Sequence, residues 1–144
     1  MCHPRQPLPR PTYYGNPAEL EDDVAIVRAV YAAFARRDLG AALALIAPDC
    51  ELHLEGTARQ VGRTEPYRGH AGMREYWADV DRVWTELTLH ADDVRVIPGS
   101  VIVLGHVTGV RDGEAVRRNA VWTWKLRSGQ VVRIRAADLG PSPD

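Results

Sequence analysis

Cysteine is scarce in this 144-residue chain: Cys2 and Cys50 are the whole complement. Neither belongs to a Cys-x-x-Cys pair, so no disulfide framework is expected. Net charge is nearly absent too, at −1, and no global field draws the chain to nucleic acid or to an anionic membrane. Long apolar runs are missing from the opening segment MCHPRQPLPRPTYYGNP. Neither a signal peptide nor a membrane anchor is expected there, and a cytoplasmic location follows by default. Lysine is reduced to Lys125, the other 17 of 18 basic residues being arginine, which reads as coding bias before phosphate binding. Arg117, Arg118, Arg127, Arg133 and Arg135 crowd the last two predicted strands. No aromatic platform interleaves with them, so they read as a solvated outer sheet face, not as a nucleic-acid interface.

What is present suits one globular domain with a real core: 45% hydrophobic, 26% charged and 7% aromatic residues. Four prolines between Pro4 and Pro11 predict a flexible arm over residues 1–15, with Tyr13 and Tyr14 able to drape over the body. Asn16-Pro17-Ala18-Glu19 is a helix start: N-cap, proline at the first helical position, and a glutamate placed for a capping box. Leu20, Val24, Val27, Tyr31 and Phe34 then repeat as one apolar stripe. Asp38 caps a short second helix carrying Leu39, Leu43 and Ile46, which Pro48 ends. Cys50 to Glu55 alternates as a half-buried strand, with Leu52 and Leu54 on one face. A polar loop runs to Gly69, and a third helix spans about His70 to Trp84.

Four strands follow, Glu86–Ile97, Ser100–Val110, Glu114–Arg127 and Gln130–Leu139. They are separated by the hairpin turns Pro98-Gly99, Asp112-Gly113 and Ser128-Gly129. Turns this short force antiparallel neighbours. The expected class is α+β, a curved antiparallel sheet with three helices on its concave side. The domain is expected over residues 16–140, with a tail at 141–144.

The order of elements resembles the nuclear transport factor 2-like superfamily, and within it the SnoaL-like domains, with the cone of the cystatin-like fold. Val30 to Leu52, VYAAFARRDLGAALALIAPDCEL, resembles the family's first helix, its Asp-Leu break and its second helix. Tyr67 to Trp77, YRGHAGMREYW, resembles the Gly-led entry to the third helix, and Val121 to Leu139 resembles the closing hairpin. The likeness covers roughly Leu20 to Leu139. It implies a pocket lined by Val30, Phe34, Leu52, Leu54, Trp77, Leu104, His106, Thr108, Arg118, Ala120, Trp122, Trp124, Ile134, Ala136 and Asp138.

The resemblance specifies a fold and leaves the reaction open. The carboxylate base of a ketosteroid isomerase falls at Leu54, its protonated Asp at Trp122 and its helical Tyr at Val30. The acid/base Asp of SnoaL-type cyclases falls at Trp122 as well. The Arg–Asp pair of the fold's epoxide hydrolases meets His106 and Thr108, and their last-strand Asp meets Arg135. None of these sets is present.

His106 and Asp138 are the candidate catalytic groups: an imidazole shuttles protons near neutral pH, and Asp138 would orient it or act as base. Against this stands a structural reading, with His106 bonded to a carbonyl and Asp138 paired with an arginine at the rim. Trp77, Trp122 and Trp124 form either an aromatic wall for a flat ligand or the filling of the cone. Arg118 meets an acidic substrate group or a rim carboxylate. His53 between Glu51 and Glu55 lacks the further ligands a metal needs, so no metal and no cofactor are expected. The expected function is cofactor-free acid/base chemistry of isomerase, cyclase or hydratase type on a small apolar, aromatic or polyketide-like substrate. A non-catalytic binding or dimerisation module is the alternative. A homodimer is expected through the convex sheet face, carried by Val101, Val103, Val107, Val121 and Val131.

Overall fold

The computed structural model describes residues 8–141. Asn16 Oδ1 accepts from Ala18 N at 3.1 Å, and helix α1 runs Pro17–Ala35 from that cap. Proline costs nothing at the first helical position, where its missing N–H would have no intrahelical partner. The stripe Leu20, Val24, Val27, Tyr31 and Phe34 is buried along its length. Asp38 Oδ1 caps α2 by accepting from Ala41 N at 3.1 Å, but α2 is only Leu39–Leu43. Ile46 and Pro48 already belong to strand β2, Ile46–Leu54, so the proline lies inside the strand and does not end the helix. The ladder to the neighbouring strand shifts register between Ile46 and Glu51, and such an irregularity accommodates a residue with no N–H to donate.

The expected polar loop holds a fourth helix, α3 Glu55–Gln60, followed by the short strand β3 Tyr67–Arg68. Six residues with only Thr57 and Ala58 buried give no helical period to read. Helix α4 spans Gly69–Val83 and is tied to its surroundings by polar contacts. The His70 ring lies 2.8 Å from the Ile46 carbonyl, and the buried Tyr67 hydroxyl donates to Asp79 Oδ2 at 2.8 Å.

Strands β4 Glu86–Ile97, β5 Ser100–Arg111, β6 Glu114–Arg127 and β7 Gln130–Pro141 form the meander. Asp112 and Gly113 have φ of 53° and 77°, and Ser128 and Gly129 have 55° and 78°. Two successive positive φ values make the turn whose twist matches the flanking strands.

The sheet is curved and unclosed, with strand order β1-β4-β5-β6-β7-β2-β3. It is not purely antiparallel: β2 runs parallel to β7, and β1, Thr12–Tyr13, runs parallel to β4. Between β2 and β7 the chain passes through α3, β3, α4 and the strands β4 to β6, a connection long enough for the crossover that parallel pairing needs. Residues 8–15 therefore do not behave as the flexible arm expected of them. Leu8 is fully buried, Tyr14 N donates to Val96 O at 2.8 Å, and Arg95 Nη1 donates to the Tyr14 hydroxyl at 3.0 Å. One apolar anchor and the free edge of β4 hold this stretch. Residues 1–7 and 142–144 of the expected arm and tail lie outside the described residues.

Candidate functional site

Two-residue turns fix which residues share a face. Arg111 pairs with Glu114 across the Asp112-Gly113 turn, which places Val107 beside Arg118, Gly105 beside Ala120 and Val103 beside Trp122. Partners directly across an antiparallel ladder point the same way. With Ala120, Trp122 and Trp124 buried beneath the helices, the inward residues of β5 are Val101, Val103, Val107 and Arg111.

That register overturns the expected face of β5. His106 and Thr108 are outside the cavity and Leu104 is 40% exposed, because a one-residue slip in phase moves every side chain of a strand. His106 Nδ1 instead lies 2.7 Å from Asp92 Oδ2. Its ring stacks on His90 at 4.3 Å, and His90 Nε2 lies 2.8 Å from Thr108 Oγ1. The expected apolar surface for a second copy changes with it. Val101, Val103 and Val131 are fully buried and Val107 lines the cavity, so only Val121 of that set remains outward. A bulge at Asp92 between Ala91 and Asp93 restores the phase of β4, placing Val94 and Val96 in the core and Leu87 and Leu89 toward the cavity.

The cavity has a volume of about 160 Å³. Its apolar wall is Leu54, Tyr76, Trp84, Leu89, Val107 and Trp122, and its polar wall is Thr57, Arg59, Gln60, Arg111, Arg118 and Asp138. Sequence reasoning found Leu54, Arg118, Trp122 and Asp138 in this set. It missed Thr57, Arg59 and Gln60 because α3 carries no periodic signal. It missed Val107 and Arg111 although the Asp112-Gly113 turn already implied their face. A smaller chamber of about 50 Å³ continues inward, lined by Val30, Tyr31, Phe34, Trp77 and Trp124 among others. Leu52 lines neither and is fully buried core. The tryptophans do both things expected of them as alternatives: Trp122 is shared by cavity and chamber, while Trp124 packs at 5.3 Å against Tyr31. Tyr31 is buried, which pushes its phenol far above its ordinary pKa. The Trp124 N–H opposes that rise without reaching hydrogen-bond geometry, since neither polar atom has a partner among the described residues.

Asp138 is the organised polar group. Arg118 Nε lies 2.9 and 2.8 Å from its two oxygens, and Gly140 N donates to Oδ1 at 2.8 Å. Arg59 Nη1 is 3.8 Å away, and the carboxylate side chain is 12% exposed. Glu55 Oε1 accepts from the Asp138 backbone N at 2.8 Å, which fastens the start of α3 to β7. Burial by itself raises the Asp138 pKa, but the Gly140 N–H, then Arg118 and Arg59, outweigh it and hold the carboxyl below its usual range. The group is therefore an anion at neutral pH, on the wall of a cavity lined about equally by polar and apolar side chains.

His53 and Cys50 take no part. His53 Nε2 is 3.1 Å from Glu51 Oε1, and Glu51 also meets Arg68 at 2.8 Å and Arg133 at 3.5 Å on the surface. Cys50 is a buried thiol pushed up to about 12, by burial first and then by Asp49 and Glu51. Among the described residues no group of three or more His, Cys, Asp or Glu side chains is placed to hold a metal ion.

A family model described as a SnoaL-like domain matches residues 27–134. No curated protein matches the chain. Among solved structures, an NTF2-like protein of unknown function from Burkholderia pseudomallei is 24% identical with a TM-score of 0.75, over 81% of this chain and 90% of that one. TerC, crystallised with polyporic acid, is also 24% identical, with a TM-score of 0.74 over 81% and 91%. A protein from Jannaschia sp. described as a SnoaL-like polyketide cyclase is 17% identical, with a TM-score of 0.71 over 83% and 87%. At these identities the likeness is one of fold.

Proposed function

The chain belongs to the SnoaL-like domain family, and from that premise we propose that it binds a small, flat, largely apolar molecule in the cavity and removes a proton from carbon through Asp138. The family includes polyketide cyclases, whose substrates suit such chemistry. The observation that carries the reading is an ionised, oriented carboxylate lining the same cavity as Trp122 and Leu89. Arg118 fixes the carboxylate plane, and Arg59 stands beside the place where negative charge would develop on a carbonyl oxygen. A carboxylate held below its ordinary pKa is a weak base. It suits a carbon acid whose carbanion is stabilised on both sides, by a carbonyl and by an aromatic ring or a second carbonyl.

2-Tetralone is such a carbon acid and is flat. The wild-type protein is expected to exchange its benzylic protons for deuterium above the buffer rate, followed by NMR. Asp138→Asn is expected to lower that catalysed rate by about 100-fold or more while 2-tetralone still binds. An unchanged rate in the variant removes Asp138 from the mechanism. A second reading, a binding module without catalysis, draws on the fact that Arg118 and Gly140 already occupy the Asp138 oxygens. Saturable binding with no exchange above buffer would establish it instead.

A further inference from the structure

The polar wall of the cavity carries three guanidiniums, and their charges are not equally answered. Arg118 is matched by Asp138 at 2.8 Å. Arg59 stands 3.6 Å from Glu55 and 3.8 Å from Asp138. The Arg111 side chain makes no ion pair and no hydrogen bond among the described residues. Its guanidinium lies over the face of Trp84, 5.0 Å from guanidinium carbon to ring centroid. Glu114 sits directly across the ladder from Arg111 and Glu86 lies across from Val110, yet neither pairs with it.

This arrangement is built. The Trp84 indole N–H donates to Thr57 Oγ1 at 3.2 Å, and both residues are buried, so the ring is fixed from behind. Gly109 makes room for it: a Cβ there would stand 3.0 Å from the ring and 2.3 Å from the Glu86 carbonyl oxygen. A guanidinium stacked on a fixed aromatic face keeps its N–H edges free and aimed in one plane. That edge borders the same cavity as Asp138.

We propose that Arg111, stacked on Trp84, binds the carboxylate of an acidic ligand whose flat apolar body lies in the cavity. The inference rests on the reading of that cavity as the ligand site, and it narrows the ligand class to aromatic or polyketide-like acids of single negative charge. One unanswered guanidinium matches one carboxylate, and its planar fork fits two oxygens. The acid would be anchored at the Arg111 end while the reacting carbon meets Asp138, so like charges are kept apart.

The test compares 2-naphthoate with 2-naphthamide, which share a flat body and differ in charge, by isothermal titration calorimetry on the full chain. Wild-type protein is expected to bind naphthoate about tenfold more tightly than the amide. Arg111→Gln is expected to bring naphthoate down to the amide's affinity and leave the amide within about twofold. Equal affinities in the wild type, or a preference that survives Arg111→Gln, would overturn the assignment of Arg111 while leaving the cavity as the ligand site. Failure of both compounds to bind would overturn the cavity reading together with it. Gly109→Ala is a second check: displacing Trp84 is expected to erode the naphthoate preference with Arg111 still present, provided the circular dichroism spectrum is unchanged.

Discussion

The two ends of strand β5 are made of similar residues and do different work. From Ser100 to Val103 the strand is closed in, with Val101 and Val103 at 0% exposure against Trp124 and Trp122. From Gly105 to Arg111 every residue is only partly buried, and the inward ones border the cavity. The change happens where β5 has Gly105 and β4 has its bulge at Asp92. A Cβ at Gly105 would stand 1.9 Å from the His90 carbonyl oxygen and 3.2 Å from the Trp122 ring, so the two strands approach there as a side chain would forbid. A bulge bends and twists its strand, and a glycine in a strand permits close backbone approach. Together they let one sheet carry a packed core at one end and an open site at the other. The closed end supplies stability, and the open end has fewer apolar contacts to lose.

The comparison breaks hardest at its hinge. Gly105→Ala is expected to destabilise the protein by about 3 kcal/mol, because the His90 carbonyl it would meet is backbone and cannot swing away. Urea unfolding measures it, and a change below about 1 kcal/mol would mean the close approach is dispensable. Next comes the same deletion at the two ends. Val103→Ala is expected to cost about 2 kcal/mol and Val107→Ala less than about 1 kcal/mol, since the first leaves a hole in packed core and the second widens an existing cavity. Equal losses would erase the distinction between the ends. The smallest effect concerns acid. The Asp138 pKa is lowered in the folded protein, so its contribution is present above the unfolded carboxylate pKa and is lost as pH falls through the folded one. Between pH 5 and 3 the wild type is expected to lose slightly more stability than Asp138→Asn, by less than about 1 kcal/mol. Identical acid slopes would show that Arg118 gains nothing from its partner.

The part of the candidate site carried by β6 and β7 was legible one strand at a time. Arg118, Ala120, Trp122 and Trp124 alternate visibly, and Asp138 follows Ile134 and Ala136 on the same face of β7. The error on β5 was one of phase between strands. His106 drew attention as an imidazole, although the Asp112-Gly113 turn pairs Arg111 with Glu114 and thereby turns Val107, not His106, toward Arg118. Arg59 had no such signal, because a six-residue helix is held by its contacts with α4 and β7 and not by a period of its own.

The sequence by itself determined α1 with its Asn16 cap, the four meander strands and their turns, because caps and two-residue hairpins are decided by neighbours along the chain. The tertiary structure alone decided the parallel seat of β2 beside β7, the docking of Leu8 and β1, the bulge at Asp92 and the gathering of Arg59, Arg111, Arg118 and Asp138 around one cavity. These depend on how far a twisted sheet must bend to close over α1 and α4, a quantity set by the whole packing and by no short stretch of residues.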